Sequence, residues 1–169
     1  MSETSWILIG MMGAGKTSVG RELAKVSGRE FQDTDRLLEY RLGRPVSGIF
    51  QTYGEPTFRQ HETSILESLH PGRFVVSTGG GIVTVEANWA EMDRLGTTVF
   101  LRVTPERLIE RLKVSRKRRP LLETDNWEDR LRELYQARMP LYERADIIFD
   151  VPGNHSDEIA AKLYKVLQP

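Results

Sequence analysis

Three absences in the sequence limit the classes of protein to which this chain can belong. It has no cysteine, so disulfides, thiolate metal sites and a cysteine nucleophile are excluded. Its 24 lysines and arginines balance 24 aspartates and glutamates, so no overall basic field attracts nucleic acid or anionic lipid. No segment approaches the roughly 18 apolar residues that a membrane-spanning helix needs. We therefore expect neither a nucleic-acid partner nor a membrane.

The N-terminus and the composition fit an ordinary globular protein. The first ten residues lack the basic leader and the apolar stretch of a signal peptide. With 169 residues, of which 39% are hydrophobic and 28% charged, the chain has the size and composition of one domain with a real core. We predict a single domain over residues 1–169 that is monomeric and cytoplasmic.

Short apolar runs alternate with longer amphipathic segments along the whole chain. The predicted strands are 5–10, 29–31, 73–78, 97–103 and 146–151. The predicted helices are 16–28, 35–43, 56–72, 104–113, 126–145 (disturbed at Pro140) and 156–167. Thr104 and Pro105 form a typical helix start, and the basic, proline-broken segment 114–125 is predicted to be a loop. Five such strands separated by helices indicate an α/β fold with a mostly parallel sheet covered on both faces.

The segment Gly10–Thr17, GMMGAGKT, has the spacing of a phosphate-binding loop. Such a loop turns backbone N–H groups around phosphate oxygens, where side chains would clash. The following helix points its positive end at the same anion. Lys16 would reach the β- and γ-phosphates, and the Thr17 hydroxyl can bind Mg²⁺. The alternative is a glycine-rich turn with an incidental lysine. The predicted nucleotide-binding residues of this loop are Gly13, Ala14, Gly15, Lys16, Thr17 and Ser18.

Two aspartates follow the second predicted strand and are candidates for the acceptor site. The chain lacks an Asn-Lys-x-Asp base-reading motif, which argues against a GTPase and favours a small-molecule kinase. Asp33 and Asp35 lie at the carboxyl end of a strand, where α/β proteins bind ligands. In an extended segment their side chains share a face. One could hold Mg²⁺ through water and the other a substrate hydroxyl. The alternative is that they cap a helix.

Four further segments carry residues whose roles the sequence leaves open. Arg59 and Glu62 lie at i, i+3 spacing, which in isolation predicts a surface ion pair. The glycines 79–81 follow a buried strand and either let a ligand approach the backbone or form a generous turn. The basic run RKRRPLL is a solvated loop, a nucleic-acid patch or a kinase lid. Arg138 in RMPLY is uninformative alone. The histidines 61, 70 and 155 have no metal-binding spacing and are expected at the surface.

Together these segments resemble the shikimate kinase family. The resemblance rests on GMMGAGKT, on DTD at 33–35, on FRQHE at 58–62, on TGGG at 78–81, on RRPLL at 118–122 and on RMPLY at 138–142. They occur in the family's order and at approximately its spacing, over nearly the whole chain. A phosphate-binding loop alone is generic, but the six motifs together are specific.

The resemblance implies a fold, a reaction and cofactors. The fold would be a P-loop kinase fold with a five-stranded parallel sheet, a helical substrate-binding region and a mobile lid at about 113–124. The reaction would transfer the γ-phosphoryl group of ATP to the 3-hydroxyl of shikimate, with ATP and Mg²⁺ as cofactors. A related small-molecule kinase, for example one acting on gluconate, is the alternative.

The resemblance also implies roles for the acceptor residues. Asp35 would hold the hydroxyls of shikimate and orient the accepting one. Arg59 and Arg138 would pair with its carboxylate, which suits the planar fork of arginine. The backbone of Gly79, Gly80 and Gly81 would contact the ring substituents.

The remaining implied roles concern the nucleotide and the transferred phosphoryl group. Asp33 would act on Mg²⁺ through water, beside Thr17. Arg119 would be the lid arginine, and Arg111 would contact adenine. Lys16, Mg²⁺ and Arg119 would supply the positive charge that the loose transition state of phosphoryl transfer requires.

Overall fold

The structure, a computed structural model, describes residues 4–168. At its centre is a five-stranded sheet in the order β2-β3-β1-β4-β5, and all four strand pairings are parallel. The strands are β1 (Ser5–Ile9), β2 (Glu30–Asp33), β3 (Phe74–Ser77), β4 (Gly96–Arg102) and β5 (Ile147–Asp150). The predicted α/β class and parallel sheet are confirmed.

Helices connect the strands. The α-helices are α1 (Lys16–Ser27), α2 (Thr34–Leu42), α3 (Val46–Ser68), α4 (Glu86–Leu95), α5 (Pro105–Lys113), α6 (Trp127–Tyr142) and α7 (Ser156–Leu167), with 3₁₀ helices at Ile82–Thr84 and Pro120–Leu122. Right-handed crossovers place α1 on one face of the sheet and the helices after β2 on the other. The contacts between helices are consistent with this arrangement, since α1 packs against α7, α3 against α4, and α5 against α6. Within residues 4–168, no helix is long and apolar enough to cross a membrane.

The order of the strands decides where a ligand can bind. From β1 the chain crosses past β3 to β2, returns to β3, and then passes β1 to reach β4. The connections therefore change direction between β1 and β3, and the carboxyl ends of these two strands open a crevice there. The Gly10–Thr17 loop follows β1, and the glycines 79–81 follow β3.

The helix boundaries follow the predicted signals in several places. Gly28 and Gly43 end α1 and α2 with left-handed φ values of 64° and 65°, a conformation that glycine adopts without steric cost. Helix α5 starts at Pro105, although the Thr104 side chain makes no capping hydrogen bond. The predicted disturbance of α6 at Pro140 is wrong, because the helix runs as one element through Pro140, and it ends at Tyr142 rather than at residue 145.

Two further helices differ from the prediction. Helix α3 begins at Val46 rather than at residue 56, and Gly54 interrupts it with non-helical angles of φ 78° and ψ 172°. Its two halves, with the kink and Pro56 between them, do not share one helical pattern. Helix α4 was not predicted, because Val85 precedes it and no side chain caps its first turn. A helix without a capping residue gives no start signal in the sequence.

The apolar side chains form two clusters. The larger surrounds the sheet and includes Trp6 and Trp89. The smaller lies between α2 and α3 and consists of Leu38, Ile49, Phe58 and Ile65. The predicted surface position holds for His70 and His155, whereas His61 is half-buried beside the Tyr53 ring.

Candidate active site

The loop after β1 has the backbone shape that its glycines predict. Gly10, Gly13 and Gly15 have φ values of 151°, 82° and 94°, which other residues rarely adopt. A β-carbon on Gly10 would lie 2.9 Å from the carbonyl oxygen of Leu101. The loop leads directly into α1, whose N-terminal end faces the crevice and favours an anion.

Lys16 is buried at the base of this loop. Its Nζ donates hydrogen bonds to the carbonyl oxygens of Gly10 (2.6 Å) and Met11 (3.0 Å). Burial, and next the positive charge of Arg119, lower the pKa of Lys16 to about 7. A phosphate near Nζ would favour the charged form, because an opposite charge offsets desolvation.

Asp33 contributes to the site with both of its oxygens. Oδ2 accepts a hydrogen bond from the Thr17 hydroxyl at 2.8 Å. Oδ1 caps α2 by accepting from the backbone N–H groups of Asp35 (3.1 Å) and Arg36 (3.3 Å). The prediction of an extended segment with both aspartates on one face is wrong, because α2 begins at Thr34. The capping and ligand-binding interpretations of Asp33 are therefore compatible, since each uses a different oxygen.

The contact between Thr17 and Asp33 suits Mg²⁺. This ion prefers oxygen ligands, keeps several waters, and is often held by one or two protein groups together with substrate phosphates. A hydroxyl and a carboxylate oxygen 2.8 Å apart beside the phosphate-binding loop match that donor set.

Asp35 lies in the first turn of α2 and faces the crevice. Burial raises the pKa of its carboxyl group, while the nearby ammonium group of Lys117 opposes that rise. Lys117 Nζ lies 4.0 Å from Asp35 Oδ2. The capping alternative does not apply to Asp35, because Asp33 occupies the N-cap position.

Arg59 and Glu62 form a buried ion pair, so the prediction of a surface pair is wrong. Arg59 Nη1 donates to Glu62 Oε2 at 2.6 Å, and the two side chains are 12% and 3% exposed. Arg59 Nη2 also contacts Glu55 at 3.0 Å. Burial raises the pKa of Glu62 to about 7, although the Arg59 charge and hydrogen bond oppose the rise.

The glycines after β3 leave room for these charged side chains. A β-carbon on Gly79 would lie 2.5 Å from Glu62 Oε1, and one on Gly81 would overlap the Arg59 guanidinium. A β-carbon on Gly80 would lie 3.6 Å from Nη1 of the buried Arg138. Side chains of the protein therefore approach the backbone of this loop closely, and the approach of a ligand to it stays a prediction.

Arg119, in the predicted lid, lies in the same crevice as Lys16 and Asp35. The segment between α5 and α6 contains the 3₁₀ helix Pro120–Leu122, and Arg119 occupies its N-cap position. Burial lowers the pKa of the Arg119 guanidinium, with Asp35 opposing that change. Within this segment Arg118 pairs with Glu123 at 2.8 Å.

Arg111 supports the phosphate-binding loop from behind. Its Nη1 donates to the carbonyl oxygens of Gly13 and Ala14, both at 3.1 Å, and its Nη2 donates to Gly153 and Asn154 at 3.0 Å. Together with Ser18 it lines a cavity of about 240 Å³ beside the loop. The predicted contact of Arg111 with adenine stays a prediction.

These groups line two neighbouring clefts that share several residues. The larger, about 520 Å³, is lined by the phosphate-binding loop, and the smaller, about 90 Å³, by Arg59, Glu62 and Arg138. Asp35, Gly79, Gly80, Lys117 and Arg119 line both. Five buried side-chain polar atoms have no hydrogen-bond partner among the described residues, and four of them belong to the smaller cleft: Arg59 Nε, Glu62 Oε1, Arg119 Nε and Arg138 Nη1.

The sequence prediction missed three residues of this site. Glu62 was assigned only to a surface pair, and Lys117 and Tyr142 were given no role. The Tyr142 hydroxyl donates to the carbonyl oxygen of Gly80. The burial of Glu62 arises from tertiary packing, so its spacing from Arg59 along the helix could not indicate that burial. RKRRPLL and RMPLY did mark the segments that carry Lys117 and Tyr142.

A phosphate-binding loop next to a cleft lined by the buried carboxylate of Glu62 and by Arg59, Arg119 and Arg138 defines a P-loop small-molecule kinase. A family model described as shikimate kinase matches residues 12–168. The chain is 42% identical over 160 residues to a shikimate kinase of Thermodesulfovibrio yellowstonii, covering 94% of this chain and 92% of the relative. It is also 42% identical over 162 residues to one of Acinetobacter baylyi, with coverages of 95% and 89%. The chain belongs to the shikimate kinase family, and its members are ATP-dependent kinases.

Solved structures agree with this assignment. The shikimate kinase of Acinetobacter baumannii in complex with shikimate aligns with a TM-score of 0.92 at 36% identity, covering 98% of this chain and 93% of that one. The enzyme of Bacteroides thetaiotaomicron aligns with a TM-score of 0.89 at 31% identity, covering 98% and 99%. A gluconokinase of Sinorhizobium meliloti aligns at 0.58 with 19% identity over 98% and 95%, which shows the shared fold alone.

Proposed function

We propose that the smaller cleft holds shikimate, and that its 3-hydroxyl receives the γ-phosphoryl group of ATP bound at the Gly10–Thr17 loop. The observation that carries this proposal is the set of four unpartnered polar atoms at the smaller cleft. Three are arginine N–H groups and one is a carboxylate oxygen. A ligand with one carboxylate and several hydroxyls has complementary acceptors and donors for them.

The carboxylate of shikimate would bind between Arg59 and Arg138. Arg59 Nε and Arg138 Nη1 are the unpartnered donors there, and guanidinium groups favour carboxylates in charge-assisted hydrogen bonds. The ring hydroxyls would then face Asp35 and the backbone of Gly79, Gly80 and Gly81, which line the smaller cleft. The accepting hydroxyl would then lie between the two clefts.

Phosphoryl transfer would depend on positioning and on positive charge. Lys16 and Arg119 both line the larger cleft and would stabilise the charge on the transferred group. Asp35 would orient the accepting hydroxyl. Thr17 and Asp33 would hold Mg²⁺, which in such sites neutralises charge on the phosphate oxygens.

Three further expectations complete the proposal. The whole chain would act as one domain, in which the segment 113–124 closes as a mobile lid over the clefts. Arg111 would contact adenine. The protein would work as a monomer in the cytoplasm, without a nucleic-acid or membrane partner.

The proposal is tested by steady-state ADP release with Mg²⁺ and ATP. Shikimate, gluconate and a nucleoside monophosphate are compared as acceptors with a no-acceptor control. We expect strong stimulation by shikimate alone. Stimulation by gluconate instead, or ATP binding with no acceptor-dependent ADP release, would contradict the assigned acceptor and redirect attention to Arg59 and Arg138.

A further inference from the structure

Tyr142 is a fully buried tyrosine next to the acceptor cleft, and the proposed chemistry does not use it. It is the last residue of α6 and has no exposed surface. Its ring stacks on Phe100 of β4, with centroids 5.0 Å apart and planes 15° from parallel. Its hydroxyl donates a hydrogen bond to the Gly80 carbonyl oxygen, 62 residues away in the chain.

The other two carbonyls of the glycine loop are held locally. The Gly79 oxygen accepts from the N–H of Ile82 at 3.2 Å. The Gly81 oxygen accepts from the N–H of Thr84 at 3.0 Å and from its hydroxyl at 2.7 Å. The carbonyl between them is bound by a side chain from a different element, so Tyr142 connects the loop to α6.

Fixing the Gly80 carbonyl also fixes the next N–H group. The peptide unit is planar, and the described residues contain no cis peptide bond, so the Gly81 N–H points opposite to the Gly80 C=O. Consecutive glycines would otherwise let this peptide rotate at little steric cost. Both glycines line the smaller cleft.

Tyr142 also shares a helix face with a predicted substrate residue. Arg138 lies four residues earlier on α6, so the two side chains are neighbours on the helix surface. Burial raises the pKa of Tyr142 to about 12, with Arg138 opposing the rise. The hydroxyl therefore stays protonated, and remains a donor, over the neutral pH range.

We propose that Tyr142 is a positioning residue for the acceptor: its hydroxyl fixes the Gly80–Gly81 peptide against α6, so that this peptide and the Arg138 guanidinium meet the acceptor as one unit. The inference rests on the proposed acceptor site. It assigns to the tyrosine of RMPLY a function in substrate recognition beyond core packing.

The substitution Tyr142→Phe tests this directly, because it removes the hydroxyl and keeps the buried, stacked ring. Loss of one buried hydrogen bond predicts an increase of about five- to tenfold in the KM for shikimate. The KM for ATP should stay within about twofold, since the phosphate-binding loop is untouched. Titration calorimetry with shikimate alone should show the same loss of affinity without turnover.

Two variants control for packing and stability. Tyr164→Phe is the matched change on α7, where the ring packs against Trp6 at 6.1 Å, and it should leave both KM values unchanged. Ile7→Val removes one methylene from a fully buried position and should lower Tm without changing either KM. An unchanged shikimate KM in Tyr142→Phe, or equal increases in both KM values, would show a merely structural role. Failure of the wild-type protein to use shikimate would instead refute the proposed function.

Discussion

The phosphate-binding loop and the smaller cleft, which are the proposed donor and acceptor sides of the site, satisfy their polar groups in opposite ways. On the donor side, Lys16 donates to two carbonyl oxygens of its own loop, and Thr17 donates to Asp33. On the acceptor side, polar atoms of Arg59, Glu62 and Arg138 are buried without a partner among the described residues. The polar groups of the first side are paired within the loop or with Asp33, whereas those of the second side include buried atoms that no described residue pairs.

The difference reflects what each side must recognise. Phosphates are bound by backbone N–H groups and one lysine, a solution that one short segment can provide for any nucleoside triphosphate. A small acceptor with several functional groups needs side chains from several elements. Leaving a buried polar group unpaired costs about 1–3 kcal/mol, so the acceptor cleft holds groups whose burial a matching ligand would compensate.

The largest expected effect is on the donor side. Lys16→Met should lower kcat by about a hundred- to a thousandfold, because it removes the ammonium group whose positive charge would stabilise the transferred phosphoryl group. The fold should persist, which circular dichroism and thermal unfolding can check. Turnover close to that of the wild type would refute the assignment of this loop to phosphate.

On the acceptor side, Arg138→Lys should mainly weaken binding. Lysine keeps the charge but lacks the bidentate fork, and hydrogen bonds to charged groups predict an increase of about ten- to a hundredfold in shikimate KM. The KM for ATP should change little. Arg130→Lys is the matched control, because Arg130 lies on the same helix and is 46% exposed. Equal effects of the two variants would rule out a specific role for Arg138.

The affinity for ATP should depend on pH through Lys16. Its pKa is lowered to about 7, and bound phosphates would raise it, so binding takes up a proton. Affinity should therefore fall as pH rises above 7, by at most about tenfold per pH unit for one proton. Calorimetry in buffers of different protonation enthalpy measures the uptake. Lys16→Met should remove it, and identical proton uptake in that variant would exclude Lys16 as its source.

The smallest expected effect is the contribution of Glu62 to the pH dependence of folding stability. Its pKa is raised from 4.5 to about 7, so between these values the folded protein binds more protons than the unfolded chain. This contribution makes stability fall as pH rises through that window. The stability of Glu62→Gln relative to that of the wild type should therefore be higher at pH 8 than at pH 5. Thermal unfolding measures this difference. Glu55→Gln, which alters the more exposed partner of Arg59, should show no comparable trend.

The same contrast explains what could be predicted from the sequence. Every residue of the donor loop lies within one motif, so its spacing alone indicated the loop and the helix after it. The ends of β2 and β3 were predicted to within two residues, which located Asp33 and the glycines near the carboxyl edge of the sheet. The separate roles of the two Asp33 oxygens could not be predicted, because they depend on where α2 begins. The burial of Glu62 and its proximity to Gly79 arise only when α3 packs against α2, α4 and the 3₁₀ helix that follows the glycine loop.

The small cluster of Leu38, Ile49, Phe58 and Ile65 has a consequence for how such an enzyme can evolve. Its buried residues form a cluster distinct from the main core, with Leu37 packed against both, and Phe58 also lines the smaller cleft. Substitutions in this cluster can reshape the cleft while the packing of the sheet and the nucleotide loop stays intact. Acceptor preference and the ability to use ATP can therefore diverge independently within one chain.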